Sequence, residues 1–321
     1  MINKKLLLSL FLFTCSSEFA VAQLLKNQVF ESNNYERTYD IYLPKKQLKK
    51  GSPLVVLLHG HRGDADVMTG ENGKTAPYKK WLTIAEREGW VLLIPDGEIG
   101  SDNYRGWNDC RADATTNPET NDVNFITNLI DTVSKNHPIN TNRIYAHGTS
   151  NGGNMVFRLA LESGEKFRAI AAVVAAMPNK NKCEAFKVPI SVLVMNGTDD
   201  PILPYGGGSV GRRKADREER GSVISTQDTI KYWLNVNGID SNPLVKNLPN
   251  KNIKDRSTVS VEQYRNRKNN TEVILFKING GGHTEPSLSE HYRRLYKILV
   301  GKQNRDIEMA EKVWEFFERN R

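Results

Sequence analysis

The stretch RIYAHGTSNGGN, residues 143 to 154, constrains this chain more than any other. A strand-like run, Arg143 to Ala146, breaks into Gly148-Thr149-Ser150-Asn151-Gly152, and a helical pattern follows. The five residues match G-x-S-x-G, in which a serine sits on a sharp strand-to-helix turn. Such a turn strains the backbone, and bulky residues two positions to either side would clash. Gly148 and Gly152 relieve that crowding, and Gly153 adds room. The first turn of the following helix presents free N–H groups toward developing negative charge. A glycine-serine loop alone carries little weight, so the strand before it and the helix after it give the pattern its force.

The rest of the chain supplies the matching architecture. Tyr35 to Leu43 alternates like a half-exposed strand. Leu54 to Leu58, Val91 to Ile94, Ile144 to Ala146, Ile170 to Ala175 and Val192 to Met195 are short continuous apolar runs, as strands buried on both faces should be. Helical patterns fall between them at Tyr78 to Glu88, Val123 to Lys135 and Asn154 to Glu162. A last strand, Glu272 to Ile278, precedes an amphipathic tail in which Ile307, Ala310, Val313, Trp314 and Phe317 share a face. This alternation predicts an α/β fold with a doubly wound, mainly parallel sheet. No repeat or Pro/Gly/Ser linker divides residues 23 to 321, so a single domain is expected. Ligand sites in such sheets lie beyond the carboxyl ends of the strands.

A serine nucleophile needs a base, and the base needs an orienting carboxylate, in the chain order Ser, Asp or Glu, His. Of six histidines only His283 and His291 come late enough. His283 follows Gly280-Gly281-Gly282 after a predicted strand; His291 lies in a charged, helical-looking stretch and reads as surface. Val192 to Met195 leads into Asn196-Gly197-Thr198-Asp199-Asp200-Pro201, where either aspartate can serve and turn chemistry leans to Asp200. The oxyanion donors are expected to be the backbone N–H groups of Asn151 and of His61, in the loop His59-Gly60-His61-Arg62-Gly63. Two histidines two apart with no Cys or acidic cluster make a poor zinc signature, so no metal and no cofactor are expected.

Lys4 and Lys5, the apolar stretch Leu6 to Thr14, and Ala20-Val21-Ala22 form a secretory signal, with maturation expected at Gln23. Phe13-Thr14 make a poor lead-in for lipidation at Cys15. No other stretch reaches membrane-spanning length. Secretion or a periplasmic location follows, and there Cys110 and Cys183 are expected to pair. The formal charge of +8 for the 321 residues is scattered. Its densest run, Arg212-Arg213-Lys214, is followed at once by Asp216, Glu218 and Glu219, which excludes a nucleic-acid stripe.

Taken together these segments resemble the secreted esterase family that includes polyhydroxybutyrate depolymerases and feruloyl or acetylxylan esterases, a branch of the α/β-hydrolase superfamily. The likeness rests on Arg37-Thr38-Tyr39 with Tyr42-Leu43-Pro44, Leu58-His59-Gly60, Pro95-Asp96-Gly97, Gly106 to Arg111, Asp122-Val123 with Phe125-Ile126, Gly148 to Gly153, Asn196 to Pro201 with Pro204-Tyr205-Gly206-Gly207, and Gly280 to Pro286. It implies Ser150 as nucleophile, His283 as base, and Asp200 rather than Asp199 as acid. It also implies that Trp107 and Tyr205 border the substrate cleft, with core packing as the competing role, and it places cysteines at positions 110 and 183. The activity implied is hydrolysis of carboxylic esters, feruloyl or acetyl esters of plant polysaccharide or its oligosaccharides, with hydroxybutyrate oligomers as the alternative. A silent binding protein on the same scaffold and a peptidase are the rivals. Gly211 to Arg220 and residues 240 to 258 are polar excursions expected to shape access to the site. No polymer-binding module follows the catalytic segment in this sequence, which favours soluble esters.

Overall fold

In the central strands successive side chains point to opposite faces, and both faces are covered, so the runs read as unbroken apolar sequence. The computed structural model describes residues 22–32, 35–46, 50–71, 73, 77–184 and 188–321. The expected signal segment, residues 1–22, lies outside them save for Ala22, as does Cys15. Ten strands form one sheet: β1 (Gln23–Ser32), β2 (Tyr35–Leu43), β3 (Ser52–Leu58), β4 (Val91–Pro95), β5 (Ile139–Thr149), β6 (Ala169–Val173), β7 (Ser191–Gly197), β8 (Leu244–Asn247), β9 (Thr258–Asn266) and β10 (Thr271–Asn279). Their order is β1-β2-β4-β3-β5-β6-β7-β10-β9-β8. The six from β4 to β10 are parallel, and antiparallel pairs extend the sheet at both ends.

Eight α-helices accompany the sheet among the described residues: α1 (Ala65–Thr69), α2 (Lys80–Glu88), α3 (Asp122–Asn136), α4 (Asn151–Ser163), α5 (Lys214–Glu219), α6 (Thr226–Asn237), α7 (Arg294–Val300) and α8 (Met309–Arg319). Leu54, Val56 and Leu58 face one way and pack with α3, α4 and α6 through Phe125, Ile126, Met155, Leu159 and Trp233. Val55 and Leu57 face the other way, against Trp81 and Ile84 of α2 and Val313, Phe316 and Phe317 of α8. Phe317 stacks on Tyr145 at 4.7 Å between ring centres, and Tyr145 on Trp90 at 5.2 Å. The α/β fold with a doubly wound, mainly parallel sheet in one domain is therefore as expected.

The structure departs from the sequence reading at the margins. Strands β1, β8 and β9 were not expected, and β8 occupies part of the excursion 240–258. The buried run Ile170 to Ala175 ends as strand at Val173, because Val174 takes φ 46° and turns the chain. Helix α8 begins at Met309, two residues after Ile307. No helix among the described residues is long and apolar enough to cross a membrane.

Cys110 and Cys183 form a disulfide with their Cα atoms 5.2 Å apart and a sequence separation of 73. It ties the segment after β6 to the loop that precedes α3, and a loop of that length is worth about 4 kcal/mol through the unfolded chain. Cys183→Ser is expected to lower unfolding stability by about 2–4 kcal/mol in urea titration. A value unchanged from wild type would remove the bond from the stabilising contacts.

Candidate active site

Strand β5 delivers Ser150 to the edge where parallel strands end, and α4 starts at the next residue. Ser150 adopts φ 53° and ψ −123°, outside the regions ordinary residues favour. The chain closes so tightly here that a Cβ on Gly148 would stand 2.3 Å from the Gly152 carbonyl oxygen. One on Gly152 would meet the Leu58 carbonyl oxygen at 2.3 Å. The two glycines of the motif are thus required by backbone contact. The Ser150 N–H donates to Val173 O at 2.9 Å, fixing the turn to β6.

Ser150 Oγ donates to His283 Nε2 at 2.9 Å, and His283 Nδ1–H donates to Asp200 Oδ2 at 2.7 Å. The other Asp200 oxygen accepts from the Ile202 and Leu203 N–H groups, both at 2.8 Å. Asp199 points away, exposed and 3.9 Å from Lys302 Nζ. Of the two aspartates, Asp200 is the one hydrogen-bonded to His283. Burial pushes the His283 pKa down, but the charges of Asp200 and then Glu285 outweigh it and leave the pKa above the ordinary value. His291 is exposed, its Nε2–H donating to Leu288 O, and it precedes α7 instead of lying in a helix.

The backbone N–H groups of His61 and Asn151 have no acceptor among the described residues. A Cβ on Gly60 would lie 3.4 Å from Ser150 Cβ, so the loop after β3 runs directly past the serine. The His61 ring is held by Nε2–H donating to Asp102 Oδ2 at 2.8 Å. Burial, then the charge of Arg220, lowers its pKa to about 4, so the ring is neutral at physiological pH. At His59 the Gly97 N–H donates to Nε2 at 2.9 Å while Nδ1–H donates to Gly60 O, so both ring nitrogens serve backbone.

Asn151 is locked by its side chain. Its Oδ1 accepts from the Trp107 N–H at 2.7 Å, and its Nδ2 donates to Asp109 Oδ2 at 2.8 Å. Asp109, with no exposed surface, also accepts from the Arg111 guanidinium at 2.7 Å. Burial alone would raise the Asp109 pKa, but Arg111 and the surrounding hydrogen bonds hold it below the usual value. Trp107 is fully buried, its Nε1–H donating to His59 O at 2.9 Å. Of the two roles expected for it, that full burial fits core packing behind the loops. Tyr205 is half-buried, its hydroxyl accepts from Gln227 Nε2 at 3.2 Å, and the cavity around Ser150 is walled by other residues.

The serine and histidine open into a cavity of about 590 Å³, walled by residues that include His61, Arg62, Tyr78, Arg220, Glu285 and Tyr292. That volume suits a small organic ligand. Glu285 is the group the sequence reading missed. It is buried two residues past His283, and its carboxylate accepts from the hydroxyls of Tyr78, Thr149 and Tyr292. Burial and then the Glu285 charge push the Tyr78 and Tyr292 pKa values well up, so both phenols stay protonated donors. Its place inside Gly280 to Pro286 was the available signal. Of the two polar excursions, the first contributes Arg220 to the wall, whereas none of residues 240 to 258 reaches it.

A family model described as "Putative esterase" matches residues 31–284. The chain belongs to this esterase family. The esterase is 28% identical over 273 residues to "Putative esterase NocK" of Nocardia uniformis subsp. tsuyamanensis, covering 84% of its own length and 75% of that protein. It is 27% identical over 242 residues to "Feruloyl esterase B" of Piromyces equi, but spans only 40% of that relative while using 74% of itself. It spans 59% of "Feruloyl esterase D" of Neurospora crassa, at 27% identity over 190 residues. Among solved structures, an acetyl xylan esterase from Aspergillus awamori superposes with a TM-score of 0.55 at 15% identity, over 94% of this chain and 100% of that one. That likeness is one of fold, the α/β-hydrolase fold, and the esterase is a serine carboxylic-ester hydrolase.

His283 takes up a proton more readily because Glu285 lies close. A general base works when unprotonated, so with His283 as the base in the reaction proposed below, activity rises as pH climbs through its pKa. Glu285→Gln removes a negative charge, lowers that pKa, and is expected to move the acid limb of the kcat/KM–pH profile to lower pH. A limb that stays put or moves upward contradicts this electrostatic role.

Proposed function

We propose that Ser150, His283 and Asp200 act as a catalytic triad for ester hydrolysis through an acyl-enzyme. The hydrogen-bonded chain from Ser150 Oγ through His283 to Asp200, with Ser150 and His283 on the cavity wall, is the observation that carries this reading. As Ser150 Oγ attacks the carbonyl carbon, His283 Nε2 takes its proton, and Asp200 keeps the remaining N–H on Nδ1 and stabilises the imidazolium. The His61 and Asn151 N–H groups receive the oxyanion, each such donor being worth about 3 kcal/mol in a dry, pre-formed site. The imidazolium then protonates the departing alcohol. Water, deprotonated by His283, attacks the acyl carbon and releases the acid together with free Ser150.

The substrates proposed are feruloyl or acetyl esters of plant polysaccharide or its oligosaccharides, after export and cleavage behind Ala22. Relatives with those activities in their names support the first part. The Cys110–Cys183 bond, suited to an oxidising compartment, supports the second.

The test is a panel of methyl ferulate, acetylated xylo-oligosaccharide, a short-chain p-nitrophenyl ester and a hydroxybutyrate oligomer, assayed beside Ser150→Ala. Turnover of at least one member is expected, with kcat lowered about 10⁴-fold or more in the variant. Silence on all four by the folded protein would favour a binding protein on a hydrolase scaffold.

A further inference from the structure

Resting on that hydrolase reading, we infer that Arg220 is a carboxylate-binding residue of the substrate pocket, and that the ester cleaved at Ser150 carries a free carboxylate. Arg220 is half-buried and lines the cavity that holds Ser150 and His283. Its guanidinium makes no hydrogen bond or ion pair among the described residues. The carboxylates that act on it electrostatically are otherwise engaged: Asp216 with Arg213 at 3.0 Å, and Asp102 with His61 at 2.8 Å. The neighbouring arginines Arg111 and Arg62 add like charge that opposes the Arg220 cation. Arg111 is neutralised by Asp109, and Arg62, also on the cavity wall, stacks its guanidinium 4.0 Å from the Tyr104 ring centre. Glu285, the acid of the cavity wall, is saturated by three hydroxyls.

A guanidinium cannot shed its proton near neutral pH, so removing it from water without a counter-charge is unfavourable. Its planar fork matches a carboxylate through two parallel hydrogen bonds. The backbone mount is firm. Arg220 caps α5, its N–H donates to Asp216 O, and its carbonyl accepts from the buried Arg111 guanidinium. The same Arg111 pairs with Asp109, which holds Asn151. One buried ion pair therefore sets both an oxyanion donor and the cation. A cation built into the wall and left open to the cavity selects an anionic ligand, and a carboxylate is the anion an ester substrate can bring. A uronic acid beside an acylated hydroxyl and the terminal acid of a hydroxyalkanoate oligomer both offer it.

The test compares kcat/KM for each free acid with that for its methyl ester. One arm uses acetylated glucuronic acid and the other the hydroxybutyrate dimer, with wild type, Arg220→Gln and Arg220→Lys. Turnover of p-nitrophenyl acetate by wild type and by Ser150→Ala runs alongside. In one arm wild type is expected to prefer the acid by about 10-fold or more, the range of a charge-assisted hydrogen bond. The arm that shows the preference names the source. Arg220→Gln is expected to bring the ratio close to one, and Arg220→Lys to keep part of it; the lysine variant carries the test if the glutamine variant does not fold. Ser150-dependent turnover of p-nitrophenyl acetate with no acid preference in either arm, or with a preference Arg220 does not affect, overturns the inference and leaves the hydrolase reading standing. Absence of Ser150-dependent turnover on every ester fells the hydrolase reading and the inference with it.

Discussion

At φ 53° and ψ −123°, Ser150 holds a backbone conformation that costs about 1–3 kcal/mol for a residue other than glycine. Such a conformation survives only where the surroundings over-determine it. Here the residue is anchored on both sides, by its N–H to Val173 O and by its carbonyl to the Asn154 N–H, each at 2.9 Å. The two flanking glycines let the turn close against the start of α4 and the end of β3. What the strain achieves is projection: the hydroxyl leaves the sheet edge and meets His283, while the first N–H of α4 has no partner among the described residues. The packed sheet on either side of β5, with all its apolar area, supplies the rigidity that the turn needs.

Electrostatics around this turn are divided into two sides. Asp200 and Glu285 favour the charged form of His283, whereas Arg220 opposes it. On the far side, Asp109 joins Asn151 to Arg111 and through it to the carbonyl of Arg220. A buried carboxylate with that many donors is costly to strip of any one of them. The segment Gly106 to Arg111 therefore acts as a brace for the site, although none of its residues lines the cavity. Arg37 plays a comparable part further back, donating to Asp122 and to the Asp96 carbonyl, both at 2.9 Å.

How much of this could be read beforehand follows from burial. Strands β3, β4, β6 and β7 are covered on both faces, so their composition alone announces them. Strand β8 is exposed at every residue, and β9 is half-buried, so neither carries a distinct apolar pattern. Ser150, His283 and Asp200 were legible because each follows a strand in a fixed order. The choice between Asp199 and Asp200 depended on which carboxylate the turn aims inward, a matter of three dimensions. Trp107 carried two readings because a tryptophan in a loop near a site can be a wall or the filling behind one. Glu285 and Arg220 gain meaning only from distant partners: Tyr78 is 207 residues from Glu285, and Arg111 is 109 from Arg220.

The outer rims of the sheet carry a further consequence. A ten-stranded sheet that is not closed into a barrel ends in two rows of unpaired backbone groups, which can template a strand from another molecule. At one rim β8 is only four residues long and includes Lys246. At the other, β1 is longer, but its register slips between Leu25 and Gln28, where Lys26 and Asn27, at φ 50°, interrupt the ladder. Short length, lysine and a kinked register each spoil the straight, apolar edge that aggregation exploits. The chain can thus keep a wide sheet as the platform for its chemistry while offering other copies little to add a strand to.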